Sequence, residues 1–278
     1  MKIAFLGSPE YAVPTLSALY SQVSTEITVF SPPDRPKGRG KVMQPTAVKV
    51  WALAHQLPVF TPSHKRELTE AIQALNPDLI VVIAYGVIIE KEVTDHWECI
   101  NLHGSILPQY RGASPIQSSL LNQDTQTGVT VIRMNEKMDQ GDMLLIQSLE
   151  ISEEDDYSSL AQKLATLSAE TCLQYIAKRS QLKPIPQNHD QATYCKKIST
   201  QDALLSLQES PKRWLQKIKA YSPSPGAFVQ TQNGRIKILK AEWNENKLKL
   251  RVVQPEGKKP MSYEEFMRGY QKEIETPC

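Results

Sequence analysis

Asn101 and His103 stand two residues apart behind the apolar Ile100, and Asp139 follows well downstream in Met138-Asp139-Gln140-Gly141-Asp142. If Cys99–His103 is a strand, both polar side chains leave it on one face. A short apolar strand ending in two such groups, then turning at Gly104, has the form of an active-site edge. An amide donates hydrogen bonds without titrating, and an imidazole moves protons near neutral pH. A carboxylate beside the imidazole favours its charged form. Together they suit acyl transfer to an amine. The amide stabilises a developing oxyanion, and the other two manage the proton. No serine or cysteine nucleophile is required, because an incoming amine attacks directly. Each residue also has a plainer role: a cap, a satisfied structural histidine, an ordinary turn. His103, Asp139 and Asp142 could bind a metal, but other well-spaced ligands are lacking, so none is expected.

The elements that must position this set read as alternating strands and helices. Ile3–Leu6, Ile27–Phe30, Leu79–Ala84, Cys99–His103 and Val129–Met134 are strand-like. Tyr11–Gln22, Ala47–Gln56, Lys65–Leu75 and Pro115–Leu121 are helix-like. The alternation predicts an α/β fold, a Rossmann-like doubly wound, mostly parallel sheet. The unbroken apolar run from Leu79 to Ala84 suits a strand covered on both faces. A further strand or strand pair is expected over Gly141–Leu149 and a long helix over Ser158–Arg179. The first turn, Gly7-Ser8-Pro9-Glu10, has one glycine where a dinucleotide fingerprint needs three, so a nicotinamide cofactor is not indicated.

The prolines of Lys183-Pro184-Ile185-Pro186 mark a linker. The expected division is a catalytic domain over 1–180, a linker over 181–195 and a small basic domain over 196–278. In the last part, a helix falls within Leu204–Tyr221. Ala227–Gln230, Arg235–Lys240 and Leu248–Val253 read as short strands, predicting a small β-rich, barrel-like module.

The chain has 278 residues, 40% of them hydrophobic, which allows a sizeable core and argues against bulk disorder. No apolar run approaches the roughly 20 residues of a membrane span, and no signal peptide is read at the start, so a cytoplasmic protein is expected. Cys99, Cys172, Cys195 and Cys278 are scattered singly, without a zinc or disulfide pattern. Net charge is +2, unevenly spread: residues 1–182 hold 15 Lys/Arg against 20 Asp/Glu, and residues 183–278 hold 17 against 10. A basic C-terminal third beside an acidic body fits an anionic partner or simply solvated lysines.

Four segments occur in an order that closely resembles the formyltransferases that use 10-formyltetrahydrofolate. They are Asn101-Leu102-His103-Gly104-Ser105-Ile106-Leu107-Pro108, Tyr110-Arg111-Gly112-Ala113-Ser114-Pro115-Ile116-Gln117, Thr127-Gly128-Val129-Thr130 and Met138-Asp139-Gln140-Gly141-Asp142. The shared pattern is N-x-H-x-S-L-L-P followed by an aspartate before x-G-D, with Ile106 here in place of a leucine. The resemblance implies that Asn101, His103 and Asp139 are catalytic, that Ser105, Ile106, Leu107 and Pro108 form the folate-contacting loop, and that 10-formyltetrahydrofolate is the co-substrate.

Gly7-Ser8-Pro9-Glu10-Tyr11-Ala12 and Pro33-Asp34-Arg35-Pro36-Lys37-Gly38-Arg39-Gly40-Lys41 resemble the methionyl-tRNA branch of that family. In that branch the basic loop enters the acceptor end of initiator tRNA. The resemblance therefore implies methionyl initiator tRNA as partner and Arg35, Lys37, Arg39 and Lys41 as tRNA contacts. Four cations in seven residues suit a phosphate backbone. Pro255–Met261 and Phe266–Gly269 resemble the family's closing segment. The stretch between Lys240 and Leu248 is short, so the C-terminal module is expected to be cut down. A monomer is expected. The rival readings are a formyltransferase for an amino-sugar nucleotide or purine ribonucleotide, a formyltetrahydrofolate hydrolase, and a non-catalytic RNA-binding protein on the same fold.

Overall fold

The computed structural model describes residues 1–22, 26–37, 40, 42–232, 234–244, 247–270 and 273–277. By contact density the chain divides into two compact units. The first comprises Met1–Arg111, Thr127–Leu149 and Gln162–Tyr194. The second comprises Gly112–Gln126, Glu150–Ala161 and Cys195–Cys278.

The first unit is built on a sheet of seven strands among the described residues. They are β1 (Lys2–Gly7), β2 (Glu26–Phe30), β3 (Val59–Phe60), β4 (Leu79–Ile83), β5 (Cys99–His103), β6 (Gln126–Arg133) and β7 (Met143–Glu150), in spatial order β7-β6-β5-β4-β1-β2-β3. The β1–β2, β1–β4, β2–β3 and β4–β5 pairs are parallel, whereas β5 and β6 are antiparallel. This is the expected mostly parallel α/β sheet. β4 is buried at every position. Ala4, Leu6, Ile80 and Val82 pack on one face with Leu68 and Ile72 of α1 (Lys65–Leu75) and Val93 of a short helix at Lys91–His96. Ile3, Phe5, Val81 and Ile83, on the alternate face of the same strands, are buried too. Burial on both faces is why these strands read as unbroken apolar runs.

Local chemistry sets the boundaries. α1 begins where His64 Nδ1 accepts a hydrogen bond from the Glu67 amide. It ends at Asn76, left-handed at φ 46°, whose amide returns to the Ile72 carbonyl at 2.8 Å. The segment expected as a linker is fastened to this unit. Ile185 and Met143 exchange both backbone hydrogen bonds at 2.8 Å, and Gln187 is buried. Burial pushes the Cys99 and Cys172 thiols up to about 12, which leaves them inert.

The second unit holds four antiparallel strands, Phe228–Thr231, Gly234–Asn244, Lys247–Pro255 and Met261–Ser262, paired in sequence order. Trp214 and Ile218 pack with Ile238, Val253 and Phe266 to form its core. The helix expected within Leu204–Tyr221 starts only at Pro211, with Ser210 capping it by accepting from the Arg213 amide. The stretch from Lys240 to Leu248 is mostly paired strand rather than connection: Glu242 lies opposite Lys249, and Trp243 opposite Leu248.

Candidate active site

β5 carries Asn101 and His103 to the C-terminal edge of the parallel strands, where open α/β sheets bind ligands. Cross-strand pairing fixes their register: Asn101 lies opposite Ile132, and His103 opposite Thr130. Asn101 Nδ2 donates to Asp139 Oδ1 at 3.3 Å. The other carboxylate oxygen, Oδ2, stands 3.7 Å from His103 Nδ1. The carboxylate therefore spans amide and imidazole, and the structure brings together the three residues singled out from the sequence. The His103 and Asp139 side chains are only 6% and 12% exposed, so the charge between them is weakly screened.

His103 is aimed by a different partner from the one its spacing suggests. Its Nε2 donates to the Tyr110 carbonyl at 2.8 Å. A carbonyl only accepts, so Nε2 carries a proton. That assigns Nδ1, on the Asp139 side, as the nitrogen that gains or loses one. At 3.7 Å the Nδ1–carboxylate pair is longer than a hydrogen bond, so the Tyr110 carbonyl rather than the carboxylate fixes the ring.

The loop after β5 is braced from within. Ser105 Oγ donates to the Gln109 carbonyl at 2.6 Å. Thr130 Oγ1 donates to the Ser105 carbonyl at 2.7 Å and accepts from the Leu107 amide at 3.1 Å. Ser105 and Leu107 are buried, while Ile106 and Pro108 are partly exposed. The bracing leaves Tyr110 in the left-handed region at φ 57°.

Asp139 sits in a second tight turn, at φ 53°. Gly141 allows that turn to close: a Cβ there would lie 1.6 Å from the Arg133 carbonyl oxygen. Behind it lies a buried bridge that sequence reasoning missed. Gln187 Nε2 donates to the Asp139 and Gly141 carbonyls at 2.9 and 2.7 Å. Its Oε1 accepts from Arg111 Nε and Nη2 at 3.0 and 2.7 Å. The only sequence signal at Arg111 is its place in Tyr110-Arg111-Gly112, and Gln187 falls in the proline-marked segment. Among the described residues no group of three His, Cys, Asp or Glu side chains gathers as a metal site.

A formyl transferase model matches residues 1–176, and a formyl transferase C-terminal domain model matches residues 197–249. The chain belongs to the formyl transferase family. It is 39% identical over 247 residues to the methionyl-tRNA formyltransferase of Kosmotoga olearia, covering 87% of this chain and 79% of that one. The methionyl-tRNA formyltransferase of Clostridium thermocellum shares the fold, with a TM-score of 0.66 and 16% identity over 94% of this chain and 99% of that one. HypX from Aquifex aeolicus, solved with tetrahydrofolic acid, gives a TM-score of 0.72 at 16% identity, covering all of this chain and 49% of that one. Like its relatives, this family member is an enzyme.

The basic segment of this formyl transferase is a small antiparallel hairpin. Arg35–Lys37 pairs with Val42–Gln44, placing Arg35 opposite Gln44. Arg35 is exposed, and Val42 and Met43 are 61% and 57% exposed. Lys49 Nζ meets Asp34 at 2.7 Å beside the first arm. Arg39 and Lys41 lie outside the described residues, and Lys37 is described by its backbone alone.

Proposed function

We propose that the chain transfers a formyl unit from 10-formyltetrahydrofolate to the α-amino nitrogen of methionyl initiator tRNA, with Asn101, His103 and Asp139 as the working groups. One observation carries the assignment of roles: the Asp139 carboxylate stands between Asn101 Nδ2 and His103 Nδ1 at the sheet's C-terminal edge. Asn101 has a second amide N–H to offer the formyl oxygen as negative charge develops there. The attacking amine must lose a proton, and the departing nitrogen must gain one. His103 Nδ1 is placed to handle that proton, because Nε2 is committed to Tyr110. The carboxylate balances the imidazolium formed in between. No step in this scheme calls on a metal ion.

A folate donor is supported by the tetrahydrofolate complex that shares this fold. The acceptor is supported by the relatives' activity and by the exposed Arg35 of the hairpin. In this reading Ser105–Pro108 form one wall of the donor site, Arg35, Lys37, Arg39 and Lys41 approach the tRNA backbone, and residues 196–278 hold the tRNA body. The protein works in the cytoplasm as a monomer. Among the described residues no helix is long and apolar enough to cross a membrane.

The test supplies 10-formyltetrahydrofolate with charged initiator tRNA, an amino-sugar nucleotide, a purine ribonucleotide or buffer alone. Formylmethionyl-tRNA should be the product. Formylation of a sugar or purine acceptor instead, or formate release without an acceptor, would reject the assignment.

A further inference from the structure

We infer that Gln187 is a positioning residue for formyl transfer, one side-chain amide that ties together the two backbone turns flanking the His103 imidazole. The inference rests on the roles given above to His103 and Asp139. Its geometry is closed on every side. The two Arg111 N–H groups only donate, so the Gln187 atom facing them is oxygen. The Asp139 and Gly141 carbonyls only accept, so the atom facing them is nitrogen. The amide orientation is thus fixed by its partners. No other side chain of this size satisfies both ends: a carboxylate loses the donors, and a hydrocarbon loses everything.

The two ends lead to the two sides of the same ring. Arg111 directly follows Tyr110, whose carbonyl holds Nε2. Asp139, whose carbonyl Gln187 holds, carries the carboxylate facing Nδ1. Both Tyr110 and Asp139 adopt left-handed backbone, at φ 57° and 53°. Such conformations persist in non-glycine residues where the surroundings enforce them. Arg111 and Gln187 are 1% and 5% exposed, so water does not replace the bridge. Arg111 also donates to Tyr194 Oη at 3.2 Å and to His189 Nδ1 at 3.0 Å, which anchors the guanidinium independently of Gln187. The bridge touches no reacting atom. Its effect is on where the carboxylate stands relative to the imidazole.

The experiment is a mutant cycle in the full chain, read by single-turnover and steady-state formylation. Gln187→Glu keeps acceptors for Arg111 and removes the donors to the Asp139 turn. Its kcat should fall on the order of 10²-fold, the scale of a misplacement near 1 Å, with KM for both substrates changed by less than about twofold. In an Asp139→Asn background the same change should cost less than about threefold, because the carboxylate it places is already gone. Full additivity, or a loss appearing in KM alone, overturns the inference. Should Gln187→Glu fail to fold, Gln187→Asn carries the same test. It retains both halves of the amide one methylene short, and must show the same kcat-only, non-additive loss. Normal turnover in Asp139→Asn alone would instead reject the catalytic reading itself. A crippled Asp139→Asn beside a fully active Gln187→Glu would reject only the positioning role.

Discussion

The Asp139 turn and the hairpin arms Arg35–Lys37 and Val42–Gln44 are both short segments outside the seven-stranded sheet, yet they are held in opposite ways. The turn is left-handed at Asp139, whose side chain is only 12% exposed, closed by Gly141 against a strand carbonyl and clamped from behind by Gln187. The hairpin is two three-residue arms, with Arg35, Pro36, Val42, Met43 and Gln44 exposed. Proton transfer and oxyanion stabilisation fail when a group moves by an ångström, so their side chains are worth the cost of burial and backbone strain. Phosphate contacts act through charge over longer distances and tolerate adjustment. The contrast predicts all-or-none responses at the first segment and graded, salt-sensitive ones at the second.

The largest effect should follow substitution of His103 or Asp139. His103→Ala or Asp139→Asn should lower kcat by about 10³-fold or more at unchanged KM, with circular dichroism and melting close to those of the unchanged chain. Near-normal turnover in either variant would break the contrast at its strongest point. Next comes Gly141→Ala, which removes nothing chemical. Its Cβ must displace either the Arg133 carbonyl or the Asp139 turn. We expect a loss of about 2 kcal/mol or more in denaturant unfolding, together with reduced kcat. A variant as stable and active as the parent would show that the turn is not rigid.

The sheet was largely legible because its signals are local. β5, α1 and Pro115–Leu121 fall at the expected boundaries, set by an apolar run, a cap and a proline at the first helical position respectively. Asn101, His103 and Asp139 were legible as residue types and through family resemblance. Their supports were not. Tyr110 acts through a carbonyl, which every residue possesses, so no pattern marks it. Gln187 lies 46 residues from Gly141 and 76 from Arg111. Its neighbours Pro184 and Pro186 read as a linker, because proline content reports the local chain and not the face against which it docks. The hairpin over 35–44 was hidden similarly. Glycine and proline exclude a helix there but do not reveal strand pairing.

A smaller effect belongs to the hairpin. Arg35→Ala should raise KM for tRNA several-fold, about the loss of one phosphate contact, and leave KM for the folate donor unchanged. Raising the salt from 50 to 200 mM should shrink the difference between variant and parent. An equal rise in both KM values, or a salt-independent one, would mean that Arg35 supports the catalytic unit rather than the acceptor. The sharp distinction between the two segments would then fail.

The smallest effect is expected at another aspartate of a turn, one whose charged partner is exposed. Asp202 accepts from the Ser199 amide and hydroxyl at 2.8 and 2.7 Å and pairs with Lys196 Nζ at 2.9 Å. The Lys196 contact, followed by the Ser199 donors, holds its carboxyl down at about 2. A lowered folded-state value means that the contribution is complete above the ordinary carboxylate range near 4 and is lost as pH falls from there toward 2. Lys196 is 80% exposed, so solvent screens the pair heavily. Asp202→Asn should therefore cost about 0.5 kcal/mol or less at pH 7. Its unfolding curve should merge with the parent's near pH 2, and kcat should be unchanged. A loss at pH 7 rivalling that of Gly141→Ala would show that exposure does not separate structural from dispensable turns here.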